Sequence, residues 1–142
     1  MDQCMTINFS QRKKITEVIK NILLREDKIV FAFIFGSVIN APSFRDIDIG
    51  TYVKNMNKED VFDYECELSQ KIAQECSMPF DIFDCKVLNY APSSFLTSVF
   101  RDGILLFSRD DQLLTDLIEN TSLDALSNEY ISLLSLKELI PE

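Results

Sequence analysis

The sequence predicts an α+β fold, one small mixed β-sheet flanked by helices. Three observations lead there. Apolar residues recur at helical spacing near the start, in the middle and toward the end of the chain. Short β-branched and aromatic runs lie between those segments. The two kinds follow one another as helix, strand, strand, helix, strand, helix, strand, helices. At 142 residues, 46% hydrophobic and 26% charged, the chain is sized for one domain with its own buried core. We expect a single domain over residues 1–142, with its core at about 10–110 and a helical C-terminal segment at about 110–140.

The elements follow in order. Ser10 is placed as the N-cap of "QRKKITEVIKNILLRED", whose Ile15, Val18, Ile19, Ile22 and Leu23 make one apolar stripe. "KIVFAFIFG" shows no alternation, as suits a central strand covered on both faces, and Gly36 ends it. In "SVINAPSFR", Pro42 limits any helix starting at Ser37 to a turn or two. "RDIDIGTYVK" alternates: Asp46, Asp48 and Gly50 share one face, Ile47, Ile49 and Thr51 the other. Val61, Tyr64, Leu68, Ile72 and Ala73 define the next helix, capped by Asn57 with Asp60 three residues on. After Pro79, "FDIFDCKVL" reads as a third strand that carries Asp81 among Phe80, Ile82 and Phe83. A short helix in "APSSFLTSVFRDG" stops at Gly103, and "ILLFSRD" is a fourth strand. Beyond Asp110 the chain is helical in composition, with Leu126, Tyr130, Leu133 and Leu134 suited either to packing on the sheet or to facing a partner or a second copy.

Composition excludes several functions. A net charge of -9 argues against direct nucleic-acid binding, which needs clustered Lys and Arg; a basic protein or a metal-chelated nucleotide is the better partner. The longest apolar run, Ile29 to Phe35, is too short to span a bilayer, and the first residues lack the order of a signal peptide. A cytoplasmic protein without membrane contact is expected. With no His in the chain, Ser-His and Cys-His nucleophile schemes are ruled out. Cys4, Cys66, Cys76 and Cys85 lack zinc-site spacing and read as reduced, mostly buried thiols. Catalysis must then rest on carboxylates, a metal or the backbone.

Asp46 and Asp48 project from one strand face with side chains roughly 7 Å apart. Unpartnered, such a pair repels; a divalent cation removes the penalty, and Mg2+ favours one or two carboxylates plus phosphate and water. Gly36-Ser37, directly after a strand, lets backbone approach a phosphate and supplies donors. Asp81 is the third element, able to complete a metal site with Asp46 and Asp48 if its strand lies beside theirs. The plainer alternatives are surface carboxylates on an exposed face and a simple turn at Gly36-Ser37.

Together the Gly-Ser pair, the Asp-x-Asp opening the next strand and a later strand Asp resemble the nucleotidyltransferase superfamily of the DNA polymerase β type. The small size, the single leading helix and the "FDIFD...APSSFLTSVFRDGILLFSRD" stretch are most similar to its minimal nucleotidyltransferase (MNT) branch, antitoxin partners of HEPN-domain toxins. The resemblance covers roughly residues 10 to 110. It implies a polymerase β-like fold and transfer of AMP from ATP to a tyrosine of a partner HEPN ribonuclease, which silences it. It further implies that Gly36 and Ser37 hold the triphosphate, that Asp46, Asp48 and Asp81 bind magnesium, and that Asp81 serves the attacking hydroxyl. Two other readings stand beside it: an antitoxin that acts by covering its toxin, and a transferase acting on a small molecule.

Overall fold

The computed structural model describes residues 5–6, 9–36, 43–44 and 46–124. A two-residue strand β1 (Met5–Thr6) leads into helix α1 (Phe9–Leu24) and strand β2 (Ile29–Phe35). A second two-residue strand, β3 (Ser43–Phe44), pairs antiparallel with β1. Strand β4 (Ile47–Val53) follows, then a 3-10 turn (Lys58–Asp60), helix α2 (Val61–Cys76), a second 3-10 turn (Phe80–Ile82) and strand β5 (Phe83–Val87). Helix α3 (Ser93–Asp102), strand β6 (Ile104–Ser108) and a helical stretch at residues 111–124, α4, complete the described chain. The order is the expected one; the β1-β3 pair is added. Among the described residues no helix is long and apolar enough to cross a membrane.

The main sheet runs β5-β4-β2-β6. β2 is antiparallel to both β4 and β6, and β4 is parallel to β5, which makes the sheet mixed as predicted. Helices cover both faces. Ile19, Ile22 and Leu23 of α1 and Leu68 and Ile72 of α2 pack on Ile34, Ile47, Ile49, Phe83 and Cys85. On the other face Val99 of α3 and Leu114 of α4 meet Phe31, Phe33 and Leu88. Six of the seven β2 residues are buried, which is why its sequence is apolar without alternation.

Four local details differ from the sequence reading. Helix α1 starts at Phe9, so Ser10 lies inside it rather than capping it. Asn57 caps a 3-10 turn without a side-chain bond to the backbone, and α2 begins only at Val61. Gly103 does end α3, but in ordinary extended backbone; glycine is required there because a Cβ would stand 2.4 Å from the Val99 carbonyl oxygen. Asp81 lies in the 3-10 turn before β5, outside the strand in which it was expected. The leucine-rich segment around Leu126, Tyr130, Leu133 and Leu134, and Cys4, lie outside the described residues. Cys66, Cys76 and Cys85 are free thiols; Cys85 is buried, which pushes its thiol up to about 12.

The strand edges are treated differently from each other. On β5, the Cys85 N–H donates to Ser69 Oγ at 3.3 Å and the Val87 N–H to a Glu65 carboxylate oxygen at 2.7 Å. Ser69 and Glu65 are one helical turn apart on α2, so a single helix face satisfies the outer row of β5. Just past β6, Arg109 stacks on Phe107, 5.1 Å from the ring centre. It also donates to the carbonyls of Glu26 and Ile29, each at 2.7 Å, and to that of Leu24. Those carbonyls lie at the end of α1 and the turn into β2, where helix geometry leaves acceptors unmatched.

Replacing Arg109 by Ala should therefore lower stability by about 1–2 kcal/mol, read as a lower urea midpoint with unchanged slope. Arg109→Lys should recover less than half of it, because one ammonium cannot span three carbonyls.

Candidate active site

Gly36 follows the last residue of β2 and has φ +83, a left-handed conformation that side chains resist. A Cβ at this position would stand 2.2 Å from Asp48 Oδ2. Glycine is thus demanded twice, by the backbone and by the carboxylate lying over it. The contact arises from register: Phe35 pairs directly with Asp48 across the antiparallel β2-β4 ladder, so the next residue of β2 turns beside the Asp48 side chain. Phe95 of α3 meets Phe35 edge to face, ring centres 5.7 Å apart, and walls this end of the sheet.

Asp48 is half-buried and Asp46, one residue before β4, is exposed. Period two turns both away from the α1-α2 core that Ile47 and Ile49 enter. Beside them in parallel register lies β5, with Asp84 level with Asp48 and Lys86 level with Gly50. Phe83, Cys85 and Val87 are buried and Asp84 and Lys86 exposed, so the latter two share the face of Asp48. Lys86 Nζ lies 3.5 Å from Asp84 Oδ1. Burial raises Asp48 to about 6; the charges of Asp84 and then Asp46 push the same way, and only Lys86 opposes them. Negative charge therefore concentrates where the Gly36 turn meets the ends of β4 and β5.

The structure sets Gly36 against Asp48, with Asp46 two residues before it, and places Asp84 level with Asp48. Asp81 is not part of this row: it is exposed on the 3-10 turn, two residues before the first β5 residue paired with β4. A signal for this was present. Asp81 shares strand parity with Phe83, Cys85 and Val87, so an extended strand through it would aim its carboxylate at the apolar core. Asp84 has the parity that faces Asp48. Ser37 lies outside the described residues, as do Pro42 and Arg45.

Among the described residues no three acidic or thiol side chains converge to hold a metal ion on their own. The donor set does fit a cation shared with a phosphate substrate, since Mg2+ takes one or two carboxylates and fills its octahedron with phosphate oxygens and water. Excess negative charge at Asp48 is the observation that favours such a cation.

Two consequences can be measured without any ligand. Because Asp48 titrates higher in the folded chain than an ordinary aspartate does, the native state holds an extra proton between about pH 4 and 6, and stability falls as pH rises through that window. Asp48→Asn removes this loss. In chelator-treated protein the variant should melt higher than the parent at pH 7, with the difference gone below pH 4. Gly36→Ala should go the other way, costing about 1–3 kcal/mol at either pH through backbone strain and the clash with Asp48. Equal melting temperatures of Gly36→Ala and parent would contradict the contact.

Residues 17–112 match the family described as "Polymerase beta, Nucleotidyltransferase". No curated protein matches the sequence. Among solved structures, a chain of the tri-AMPylated Shewanella oneidensis HEPN toxin in complex with MNT antitoxin is 17% identical with TM-score 0.64, covering 92% of this chain and 99% of that one. A chain of a toxin-antitoxin structure with AMP-PNP is 18% identical with TM-score 0.65, covering 89% and 98%. A chain of the MntA-HepT toxin-antitoxin structure is 16% identical with TM-score 0.58, covering 94% and 100%. At such identities the likeness establishes a shared fold. The family match spans well over half of the chain and includes Gly36, Asp46, Asp48 and Asp84: this protein belongs to the polymerase β nucleotidyltransferase family.

Proposed function

We propose that this protein is an antitoxin that transfers AMP from ATP to a tyrosine of a partner HEPN-domain toxin, in a magnesium-dependent reaction in the cytoplasm. The observation that carries the reading is the Gly36 turn set against Asp48, with Asp84 level with Asp48 on β5 and Asp46 just before β4. The solved complexes of similar fold, one with a tri-AMPylated HEPN toxin and one with AMP-PNP, support the choice of nucleotide and acceptor.

Each residue has a distinct part. Gly36 allows the backbone after β2 to come close to phosphate oxygens, with Ser37 next to it in sequence as a hydroxyl donor. Asp46 and Asp48 would hold Mg2+. When bound, the metal supplies neutralisation of phosphate charge and fixes the α-phosphoryl group. Asp84, level with Asp48 on β5, takes the acceptor side of the site in place of Asp81. The acceptor oxygen attacks the α-phosphorus in line, and pyrophosphate departs on the Gly36 side. Phe35 and Phe95 limit water at that end, favouring transfer over hydrolysis.

The test is transfer of label from α-labelled ATP, with Mg2+, to a HEPN toxin. The parent protein should place label on a toxin tyrosine, and Asp46→Ala should reduce the rate by at least about 10²-fold, as expected when a metal ligand is removed. A covering antitoxin would behave otherwise: Asp46→Ala would neutralise the toxin fully while no label appeared, and that outcome would sink the proposal.

A further inference from the structure

Lys86 is the one cation whose charge opposes the acids around Asp48 among the described residues. It rests on no element of the phosphate-binding side. The strand order β5-β4-β2 sets the parts of the site in a row, with the Gly36 turn on β2, Asp46 and Asp48 on β4, and Asp84 and Lys86 on β5. An in-line displacement that expels pyrophosphate toward Gly36 requires the nucleophile to arrive from the opposite side. That side is β5. Its exposed face carries Asp84, level with Asp48, and Lys86, level with Gly50; the Lys86 side chain is about half exposed and its Nζ stands 3.5 Å from Asp84 Oδ1.

The geometry points to Lys86 as the residue that binds the acceptor's phenolic oxygen and stabilises it as phenolate. This deepens the proposed function and rests on it. A free tyrosine hydroxyl ionises near pH 10, so at neutral pH few acceptors carry the nucleophilic form. An ammonium beside the oxygen favours the anion, while Asp84 holds that ammonium in place from the same strand face. The phenolic proton is lost to solvent. The phenolate oxygen forms a bond to the α-phosphorus as the bond to the bridging oxygen breaks, and pyrophosphate leaves with that electron pair. The arrangement also sets acceptor class: one ammonium shifts a phenol usefully, whereas the aliphatic hydroxyl of Ser or Thr starts far too basic. The charged groups nearest Lys86 are Asp84 on its own strand and Asp48 on β4; Glu65 of the packed helix α2 is engaged by the Val87 N–H.

The experiment measures transfer to a HEPN toxin at saturating Mg2+, with ATP varied up to saturation, across pH 6 to 10 for the parent, Lys86→Met and Lys86→Arg. Parent labelling of the toxin establishes the underlying reaction. Lys86→Met should then lose roughly 10²-fold at pH 7, the scale of one lost transition-state charge contact. Its KM for ATP should stay within about two-fold, as for a group that does not bind nucleotide. The deficit should shrink as pH approaches the phenol's own range, and Lys86→Arg should keep most of the rate. An unchanged rate in Lys86→Met, a deficit constant with pH, or a loss confined to KM for ATP would overturn the assignment while leaving adenylyl transfer standing. Absence of label with the parent would overturn both.

Discussion

The register of β2 against β4 is the constraint on which the rest of the site depends. It places Phe35 opposite Asp48, and so delivers the turn at Gly36 to the Asp48 carboxylate. A slip by one residue would swing Asp46 and Asp48 into the α1-α2 core and bring Ile47 and Ile49 out of it. Burial resists that slip. Ile47, Ile49 and Val53 are fully buried, as are Ile29 and Ile34 on the facing strand, so the apolar side of the ladder holds the acidic side where it is. The Gly36 backbone then fits only because no Cβ competes with the carboxylate.

A second constraint ties β5 to that ladder. Ser69 and Glu65 satisfy the outer N–H groups of β5 from α2, and the Leu88 N–H donates to the Thr51 carbonyl at 2.8 Å on the inner side. Held on both edges, β5 keeps Asp84 level with Asp48. The price is local: three carboxylates gather at one end of the sheet, and the half-buried one resists ionisation. Such tension between stability and charge is characteristic of functional sites, and here a bound cation and substrate would relieve it.

Much of this was legible in the sequence because the strands announce themselves by period. "DIDIG" alternates, so its two acids had to share a face, and "IVFAFIF" does not, so it had to be central. The placing of Asp81 within a strand failed for an equally physical reason. "FDIFD" offers two aspartates of opposite parity, and which one lies beside Asp48 depends on where pairing with β4 begins. Pairing begins at Phe83, after a 3-10 turn, and that boundary is set by tertiary contact rather than by local preference. The β1-β3 pair was invisible for a related reason: two-residue strands carry no periodicity. Lys86 gave no signal, because its meaning comes from the neighbouring strand.

The most direct test of the account is a crystal structure with a non-hydrolysable ATP analogue and Mn2+ in place of Mg2+, read by anomalous scattering. The account predicts a metal peak bridging Asp46 and Asp48 to the phosphates, with the terminal phosphates toward Gly36 and the α-phosphate facing Asp84. A nucleotide bound away from Gly36, or a metal that bypasses Asp48, would contradict it.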